Sequence, residues 1–406
     1  MSLLGDLRAS VNAVKPGRTR MRNYDLLLAA AVATLLMFGL LMVFSASIAL
    51  VDGPKYANST RYYFFVRHLV FIAIGLVGFA ITISLPMQIW EKFTLPLFLL
   101  SLFMLVLVLI PHIGNEVNGA YRWIPLGPLN FQPSELMKLT MVLFAADYTV
   151  RKQKYMHDFW RGFAPMMVAL GVVGILLLLE PDLGAFMVSV SIAVGILFLG
   201  GISAILFLIL VVLLLGCFAL LILMAPWRVK RIFAYLDPFD PDTVQSTGYQ
   251  LAHSLIAIGR GEWFGVGLGS SVEKLHYLPE AHTDFIMAVV GEELGFVGII
   301  AVVVLFLIIV HRGFEIGRQA IAMDREFSGL VAQGVSIWMG VQALVNLGVC
   351  LGLLPTKGLT LPLVSYGGSS IVMNLVAIAI LMRVDYESRL MMRGERPDRK
   401  PLPEYR

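Results

Sequence analysis

Residues 277–310 read "YLPEAHTDFIMAVVGEELGFVGIIAVVVLFLIIV", and this stretch decides the fold class. Its first half carries one His and four carboxylates, whereas no side chain from Phe296 to Val310 is charged. A membrane-spanning helix needs about 20 mainly apolar residues, because in lipid every backbone N–H and C=O must be satisfied within the segment. The stretch therefore predicts a transmembrane helix over 284–310 with acidic groups at its beginning.

The rest of the chain repeats this apolar pattern. Of the 406 residues, 58% are hydrophobic and 14% are charged, and the mean hydropathy is +0.82, far above that of soluble globular proteins. The sequence predicts an all-α polytopic integral membrane protein with ten transmembrane helices. We place them at 25–49, 64–85, 92–110, 134–150, 163–180, 183–200, 202–225, 284–310, 328–353 and 363–383.

The net charge of +4 is spread over alternate loops, which gives no reason to expect a nucleic-acid partner. Lys and Arg concentrate in residues 1–24, 151–161, 312–325 and 383–406. By the positive-inside rule these segments and both termini are cytoplasmic. Small residues at 44–49 resemble a signal-peptide cleavage site, but the apolar run before them is longer than a signal peptide's, so we predict an uncleaved first helix.

This arrangement predicts one transmembrane domain over 1–406. It consists of a basic cytoplasmic tail (1–24), helices one to seven (25–225), a large external loop (226–283), helices eight to ten (284–383) and a second basic tail (384–406). The short cytoplasmic loops leave no room for a nucleotide-binding domain, so any reaction must use the membrane or its outer face. Cys217 and Cys350 lie inside predicted helices, which excludes a disulfide framework.

Several ionisable residues fall near the external ends of the predicted helices, where a charge is costly and is therefore a functional candidate. They are Arg122, Glu135, Lys138, Asp182 and Asp284. Glu135 and Lys138 are spaced i, i+3 and can equally form a structural ion pair. The "EPDLG" at 180–184 can equally be a turn with Asp182 at a helix N-terminus.

Asp284 stands at the predicted start of the eighth helix, with Gly291 and Gly295 below it and Glu292 to one side. The glycines either allow close helix packing or leave a groove for an acyl or isoprenoid chain. Asp284 itself can also be an N-terminal helix cap. His282 can orient the acid, join a metal site or face water.

The "GVGLGSS" at 265–271 lies between Arg260 and Lys274. Its backbone N–H groups can cradle a phosphate, or it can be a flexible surface turn. No strand–helix unit surrounds it, so it is not a dinucleotide fingerprint.

Four motifs taken together are more specific. "GAYRWIPLGPLNFQPSELMKL" (119–139), "EPDLG" (180–184), "YLPEAHTDFIMAVVGEELG" (277–295) and "GLTLPLVSYGGSS" (358–370) occur in an order that resembles the SEDS family of cell-wall polymerases. The resemblance spans nearly all ten helices and is closer to the members that serve cell division than to those that serve elongation.

The resemblance implies a peptidoglycan glycosyltransferase in the cytoplasmic (inner) membrane, enriched at the division septum, that polymerises lipid II at the outer face. It also implies contact with membrane lipid, a class B penicillin-binding protein of the FtsI type as partner, and other divisome proteins. By the same resemblance Asp284 matches the family's essential aspartate, Trp123 a loop tryptophan that matters for activity, and Glu135 and Lys138 the polar pair. Asp182 and Ser365 match further motif positions.

In this interpretation Asp284 is a general base that removes a proton from the acceptor sugar's 4-hydroxyl group. The leaving diphosphate needs cations, which Lys138, Arg122, Arg260 or a divalent metal ion, Mg²⁺ or Mn²⁺, can supply. No other cofactor is implied, and the metal's ligands are not identified.

Two other classes of function fit parts of the sequence. A transporter would move lipid II between the leaflets, but such proteins place polar sites near the bilayer midplane on repeated, broken helices, and no repeat is visible here. A non-catalytic scaffold leaves the costly acids without a purpose. The external clustering of ionisable residues favours the enzyme.

Overall fold

The structure is a computed structural model that describes residues 23–50, 60–117, 120–127, 129–156 and 158–395. Most of the two predicted basic tails, residues 1–22 and 396–406, therefore lies outside the described residues. Twelve α-helices occur in the described ranges. They are α1 (Leu26–Ser47), α2 (Tyr63–Ser84), α3 (Met87–Val108), α4 (Pro133–Lys152), α5 (Ala164–Leu179), α6 (Leu183–Leu199), α7 (Ala204–Leu223), α8 (Pro226–Leu236), α9 (Tyr249–Gly261), α10 (Ile286–Ile321), α11 (Glu326–Cys350) and α12 (Gly368–Met392).

Seven helices within the described residues are long and apolar enough to cross a membrane. They are α1, α2, α3, α5 with the π-helical turn Phe159–Phe163 before it, α10, α11 and α12. The chain is thus a multi-pass membrane protein. Helices α6 and α7 coincide with predicted spans but have shorter apolar stretches, and α4 carries Glu135 and Lys138 near its start and Arg151 and Lys152 at its end. The number of ten crossings stays a prediction.

Predicted boundaries of three helices are wrong, and the helices extend beyond the predicted ends where hydropathy marks only their apolar part. Helix α3 begins at Met87, before the predicted start at 92. Helix α10 begins at Ile286 and runs to Ile321, and it is broken at Gly295, whose φ of 67° is non-helical. Helix α12 begins at Gly368, after the predicted start at 363, and continues to Met392, so residues 384–392 are helical rather than tail.

The prediction of an all-α chain misses a small antiparallel sheet. Strands β1 (Asn115–Val117), β2 (Ala120–Leu126) and β3 (Leu129–Phe131) form it in that order, and Ile124 pairs with Phe131. Gly127, at φ 65°, begins the turn between β2 and β3. The middle strand carries Arg122 and Trp123.

The large segment 226–283 contains two helices of different character. Helix α8 is amphipathic and exposes Phe233 and Leu236. Helix α9 buries Leu251, Ala252 and Ala257 and packs against α10.

An ion-pair network joins α1, α10 and α12 at one end of the helical bundle. Asp25 caps α1 by accepting a hydrogen bond from Leu28 N at 2.9 Å, and its carboxylate also contacts Arg312 and Arg389. Arg389 pairs with Asp385 at 2.7 Å. Because Arg312 follows the beginning of α10 by 26 residues, this Asp25 end lies about 40 Å along the helix from Asp284, at 1.5 Å per residue.

Candidate active site

Asp284 lies in the segment just before α10, and its main chain is firmly held. Its carbonyl oxygen accepts hydrogen bonds from Asn346 Nδ2 at 2.8 Å and Cys350 Sγ at 3.5 Å. The helix is capped at Phe285 without any side-chain hydrogen bond, so the interpretation of Asp284 as a helix cap is wrong. Among the described residues its carboxyl group has no hydrogen-bond partner.

The carboxyl group of Asp284 is partly buried beside the segment that follows α11. A Cβ atom placed on Gly358 would lie 3.1 Å from Asp284 Oδ2, so the glycine lets the backbone approach the acid closely. Burial, followed by the charge of Glu280, raises the pKa of Asp284 to about 7, while Arg122 acts in the opposite direction. A carboxyl group with this pKa exchanges protons readily near neutral pH.

Two amide side chains of α11 position the segments around Asp284. Asn346 Nδ2 also donates to Leu359 O at 2.6 Å, and Gln342 Nε2 donates to Thr360 O at 2.9 Å. Both are buried and lie one helical turn apart, so one helix fixes the main chain before α10 and after α11. Our sequence interpretation missed them, although two amides spaced i, i+4 in an apolar span are the signal that identifies such positions.

Arg122 and Asp182 come within electrostatic reach of Asp284. The Arg122 guanidinium donates to the main-chain oxygens of Glu180 at 3.1 Å and Pro181 at 2.5 Å. Asp182 caps α6 by accepting from Ala185 N at 3.0 Å. It also accepts from Ser134 Oγ at 3.1 Å and Gln132 Nε2 at 3.4 Å. Asp182 therefore has the helix-end role that the turn alternative describes, and it also contributes charge near Asp284. Trp123 follows Arg122 on β2 and is half-buried.

Glu180, which the sequence interpretation passed over, is fully buried at the end of α5. Both of its carboxyl oxygens are without a hydrogen-bond partner among the described residues. Burial, with the charge of Asp182 as a second cause, raises the pKa of Glu180 to about 9.

Glu135 and Lys138 form the ion pair that their spacing allows. Lys138 Nζ lies 2.8 Å from Glu135 Oε2, donates to Gln342 Oε1 at 2.8 Å and sits over the ring of Trp338. Lys138 is completely buried, so in this structure its charge is engaged inside the bundle.

The donors of the Gly-rich segment after α9 are bound to acids of α10. Val272 N donates to Glu292 at 2.9 Å, Ser271 Oγ donates to the same carboxylate at 2.5 Å, and Ser271 N donates to Glu293 at 3.4 Å. Arg260 pairs with Glu292 at 2.9 Å and Lys274 with Glu293 at 2.6 Å. The structure thus places carboxylates, rather than an open phosphate cradle, against these N–H groups.

The glycines of α10 serve close packing, not a groove. A Cβ atom on Gly291 would lie 2.9 Å from Ile258 Cγ1, and one on Gly295 would lie 2.4 Å from Gly265 N. At the break beside Gly295, Phe296 N donates to Glu262 O at 2.9 Å. The segment after α9 therefore supplies a main-chain hydrogen-bond acceptor to the broken helix and packs against its glycines. The acyl-chain interpretation of this glycine face is wrong.

His282 and Ser365 support the segments near Asp284. The His282 ring packs 5.0 Å from Phe64 and 5.4 Å from Tyr366, and its carbonyl accepts from Tyr366 N at 3.0 Å. Burial lowers the pKa of His282, which favours the neutral ring. Ser365 Oγ accepts from Leu361 N at 2.8 Å and closes a turn before α12.

The described residues contain no group of three or more His, Cys, Asp and Glu arranged to hold a metal ion. The predicted divalent cation is assigned no ligands on this chain, since Mg²⁺ commonly takes most of its ligands from substrate phosphates and water. The metal requirement stays a prediction.

Comparison with known proteins decides the family. The model of the cell cycle protein family that is named for FtsW, RodA and SpoVE matches residues 25–390. The chain belongs to this family. The SEDS resemblance of the four motifs is thereby confirmed.

Individual relatives carry one name. The chain is 59% identical over 390 residues to a probable peptidoglycan glycosyltransferase FtsW of Burkholderia thailandensis, covering 96% of this chain and 84% of that one. It is 61% identical over 359 residues to the protein of the same name from Taylorella equigenitalis, covering 88% and 98%.

Two solved structures share the fold. A chain of a peptidoglycan synthase complex that coordinates polymerization and crosslinking aligns with a TM-score of 0.71 at 29% identity, covering 90% of this chain and 98% of that one. The rod shape determining protein RodA of Thermus thermophilus aligns with a TM-score of 0.64 at 29% identity, covering 90% and 97%.

Proposed function

We propose that this protein is a peptidoglycan glycosyltransferase that polymerises lipid II into glycan strands at the outer face of the cytoplasmic membrane. The observation that carries the proposal is the Asp284 carboxyl group, which has no hydrogen-bond partner among the described residues and lies within electrostatic reach of Arg122; burial raises its pKa to about 7. The name shared by relatives about 60% identical supports the same reaction.

Asp284 acts as the general base. Its carboxylate accepts the proton of the acceptor sugar's 4-hydroxyl while that oxygen bonds to the anomeric carbon of the lipid-linked donor. The bond from this carbon to the undecaprenyl diphosphate breaks, and the diphosphate leaves with the electron pair. A base with a pKa near the working pH is the most effective compromise between being deprotonated and accepting a proton.

Arg122 is the cation that we assign to the developing charge of the diphosphate. Its guanidinium is fixed by two main-chain oxygens and has no side-chain carboxylate partner among the described residues, so it is preorganised without being neutralised there. Lys138 and Lys274 are buried in ion pairs, and Arg260 is bound to Glu292. We therefore give these three residues positioning roles. A divalent cation bound through substrate phosphates would add to the charge of Arg122.

The orientation of the chain follows from charge. Arg312, Arg318, Arg325, Arg383 and Arg389 all belong to the Asp25 end, which the positive-inside rule places in the cytoplasm together with both termini. The Asp284 end then faces outward, where lipid II is used.

Cysteine labelling tests this orientation. In a background with Cys217 and Cys350 replaced by Ala, Ser270→Cys should react with a membrane-impermeant thiol reagent on intact spheroplasts, and Ala322→Cys should not. Both positions are exposed. Ser270 lies in the segment between α9 and α10, and Ala322 directly follows the end of α10. Labelling of Ala322→Cys alone would reverse the assignment.

A division role and a crosslinking partner extend the proposal. The relatives' FtsW name supports septal cell-wall synthesis over the elongation role. The structural likeness to a chain of a peptidoglycan synthase complex supports a class B penicillin-binding protein of the FtsI type as partner, within a larger divisome assembly.

The deciding experiment supplies purified protein in detergent micelles with lipid II and follows glycan formation. A polymerase makes glycan strands without a membrane to cross. A protein that only moves lipid II between leaflets, or only recruits another synthase, makes none. Absence of glycan, both alone and with the class B partner added, would overturn the proposal.

A further inference from the structure

Glu180 is a costly residue that the reaction described above does not use. Its side chain is 0% exposed, and neither carboxyl oxygen has a donor among the described residues. An ionised carboxylate in such surroundings is strongly disfavoured, because desolvation is not offset by any hydrogen bond. The geometry alone therefore indicates a protonated, neutral acid.

The position of Glu180 relates this neutral acid to the cation of the site. The Glu180 carbonyl oxygen holds Arg122 Nε at 3.1 Å, and the carboxyl group is within electrostatic reach of the same guanidinium. Yet the guanidinium is directed to main-chain oxygens and forms no ion pair with Glu180. A charged Glu180 would offset much of the positive charge that Arg122 presents.

Neighbouring charged groups make the net charge around Arg122 sensitive to the protonation state of Glu180. Asp182 before α6 acts on both Glu180 and Asp284, Glu280 and Arg122 act on Asp284, and Arg231 of α8 is within reach of Arg122. Among the described residues, the carboxyl groups of Asp182, Asp284 and Glu280 already interact electrostatically here. One more negative charge would repel a diphosphate-bearing substrate, since nearby charges interact strongly in a partly dry environment.

We propose that Glu180 is a positioning residue that is held as a neutral carboxylic acid, so that the charge of Arg122 stays available to the diphosphate of the lipid-linked substrate. This inference rests on the proposed function. Its consequence is an alkaline loss of substrate affinity that belongs to Glu180 and not to Asp284. The pKa of Glu180, raised to about 9 by burial, gives the pH at which this loss sets in.

The test compares wild type with Glu180→Gln, whose amide is neutral at every pH and nearly isosteric. For wild type, kcat/KM for lipid II should fall by about tenfold as pH rises through about 9, mainly through KM, because the new charge weakens binding. Glu180→Gln should match wild type near neutral pH and lack this alkaline fall. Binding of undecaprenyl diphosphate, measured on either side of pH about 9, should show the same difference without turnover.

Three results would overturn the inference: an alkaline fall that persists in Glu180→Gln, no alkaline fall in wild type, or a folded Glu180→Gln that is inactive near neutral pH. If Glu180→Gln does not fold, the neutral variant Glu180→Met takes its place under the same criteria. Glycan formation by wild type at neutral pH upholds the proposed function in all these cases, so the two can fail separately.

Discussion

The two ends of the helical bundle differ in whether their carboxyl groups have hydrogen-bond partners. At the Asp25 end, Asp25, Asp385 and Glu387 are each buried and each bound by at least one arginine. At the Asp284 end, the carboxyl groups of Asp284 and Glu180 have no hydrogen-bond partner among the described residues. The same chemical group therefore fastens helices together at one end and remains available for proton transfer or charge control at the other.

The difference matters because an unpaired, buried carboxyl group lowers stability. Burying a polar group without a hydrogen bond costs roughly 1–3 kcal/mol on protein mutational scales. Shifted pKa values of this origin cluster at functional sites, since catalysis needs groups that solvent and partners have not already satisfied. The contrast predicts that substitutions at the Asp284 end change rates, whereas substitutions at the Asp25 end change stability.

The largest effect is expected from Asp284→Asn. The amide is nearly isosteric but cannot accept the proton, so the lipid II polymerisation rate should fall by about 10²- to 10⁴-fold, the usual contribution of general acid–base catalysis. Asp284→Glu should also be severely impaired, because a shift of the carboxylate by about 1 Å can cost on the order of 10²-fold. Melting temperatures in detergent should stay within a few degrees of wild type, since the Asp284 side chain has no hydrogen bond to any described residue that could be lost.

A variant at the other end provides the matched control. Asp385→Asn removes a charge from a side chain that accepts from Asp25 N at 2.7 Å and Arg389 Nε at 2.7 Å. Unpairing buried, charge-assisted hydrogen bonds should lower the free energy of unfolding by about 1–3 kcal/mol. The polymerisation rate per folded molecule should remain near that of wild type. A rate loss as large as that of Asp284→Asn, without loss of stability, would break the contrast between the ends.

The smallest effect is expected from Glu280→Gln. The charge of Glu280 helps to raise the pKa of Asp284, so its removal should lower that pKa. Because the base acts when deprotonated, the acid limb of the pH–rate profile should move to lower pH, and the rate below neutral pH should increase. A shift in the opposite direction would show that Glu280 does not act on Asp284 through its charge.

Much of this architecture is readable from the sequence because lipid imposes a simple rule on apolar runs. The starts of α1 and α6 fall within a residue of the predictions, since an apolar run adjoins a clear end signal there. Asp284 was identified as an acid that begins an apolar helix, and its location next to α10 confirms that part. The small sheet that contains Arg122 was not predicted from the sequence, because its strands are short and lie in a segment that resembles a polar loop.

The finer partners could not be read from local sequence because they join distant segments. Glu292 meets Ser271 and Val272 only because α10 is broken at Gly295 and the segment after α9 enters the break. Gln342 and Asn346 acquire their roles from main-chain oxygens of segments that precede α10 and follow α11. From the sequence, Lys138 could have bound a charged group of the substrate. The packed bundle shows that its ammonium group already binds Glu135 and Gln342.

The pH dependence of kcat/KM for lipid II in purified wild-type protein tests the central claim most directly. Burial raises the pKa of the Asp284 carboxyl group to about 7, and the deprotonated form is the active base. The value of kcat/KM should therefore rise with pH through about 7 and level off before the alkaline fall assigned to Glu180, with about a tenfold loss for each pH unit below 7, as expected for a single proton. A profile that stays flat from well below to well above pH 7 would contradict the assignment of Asp284 as the general base.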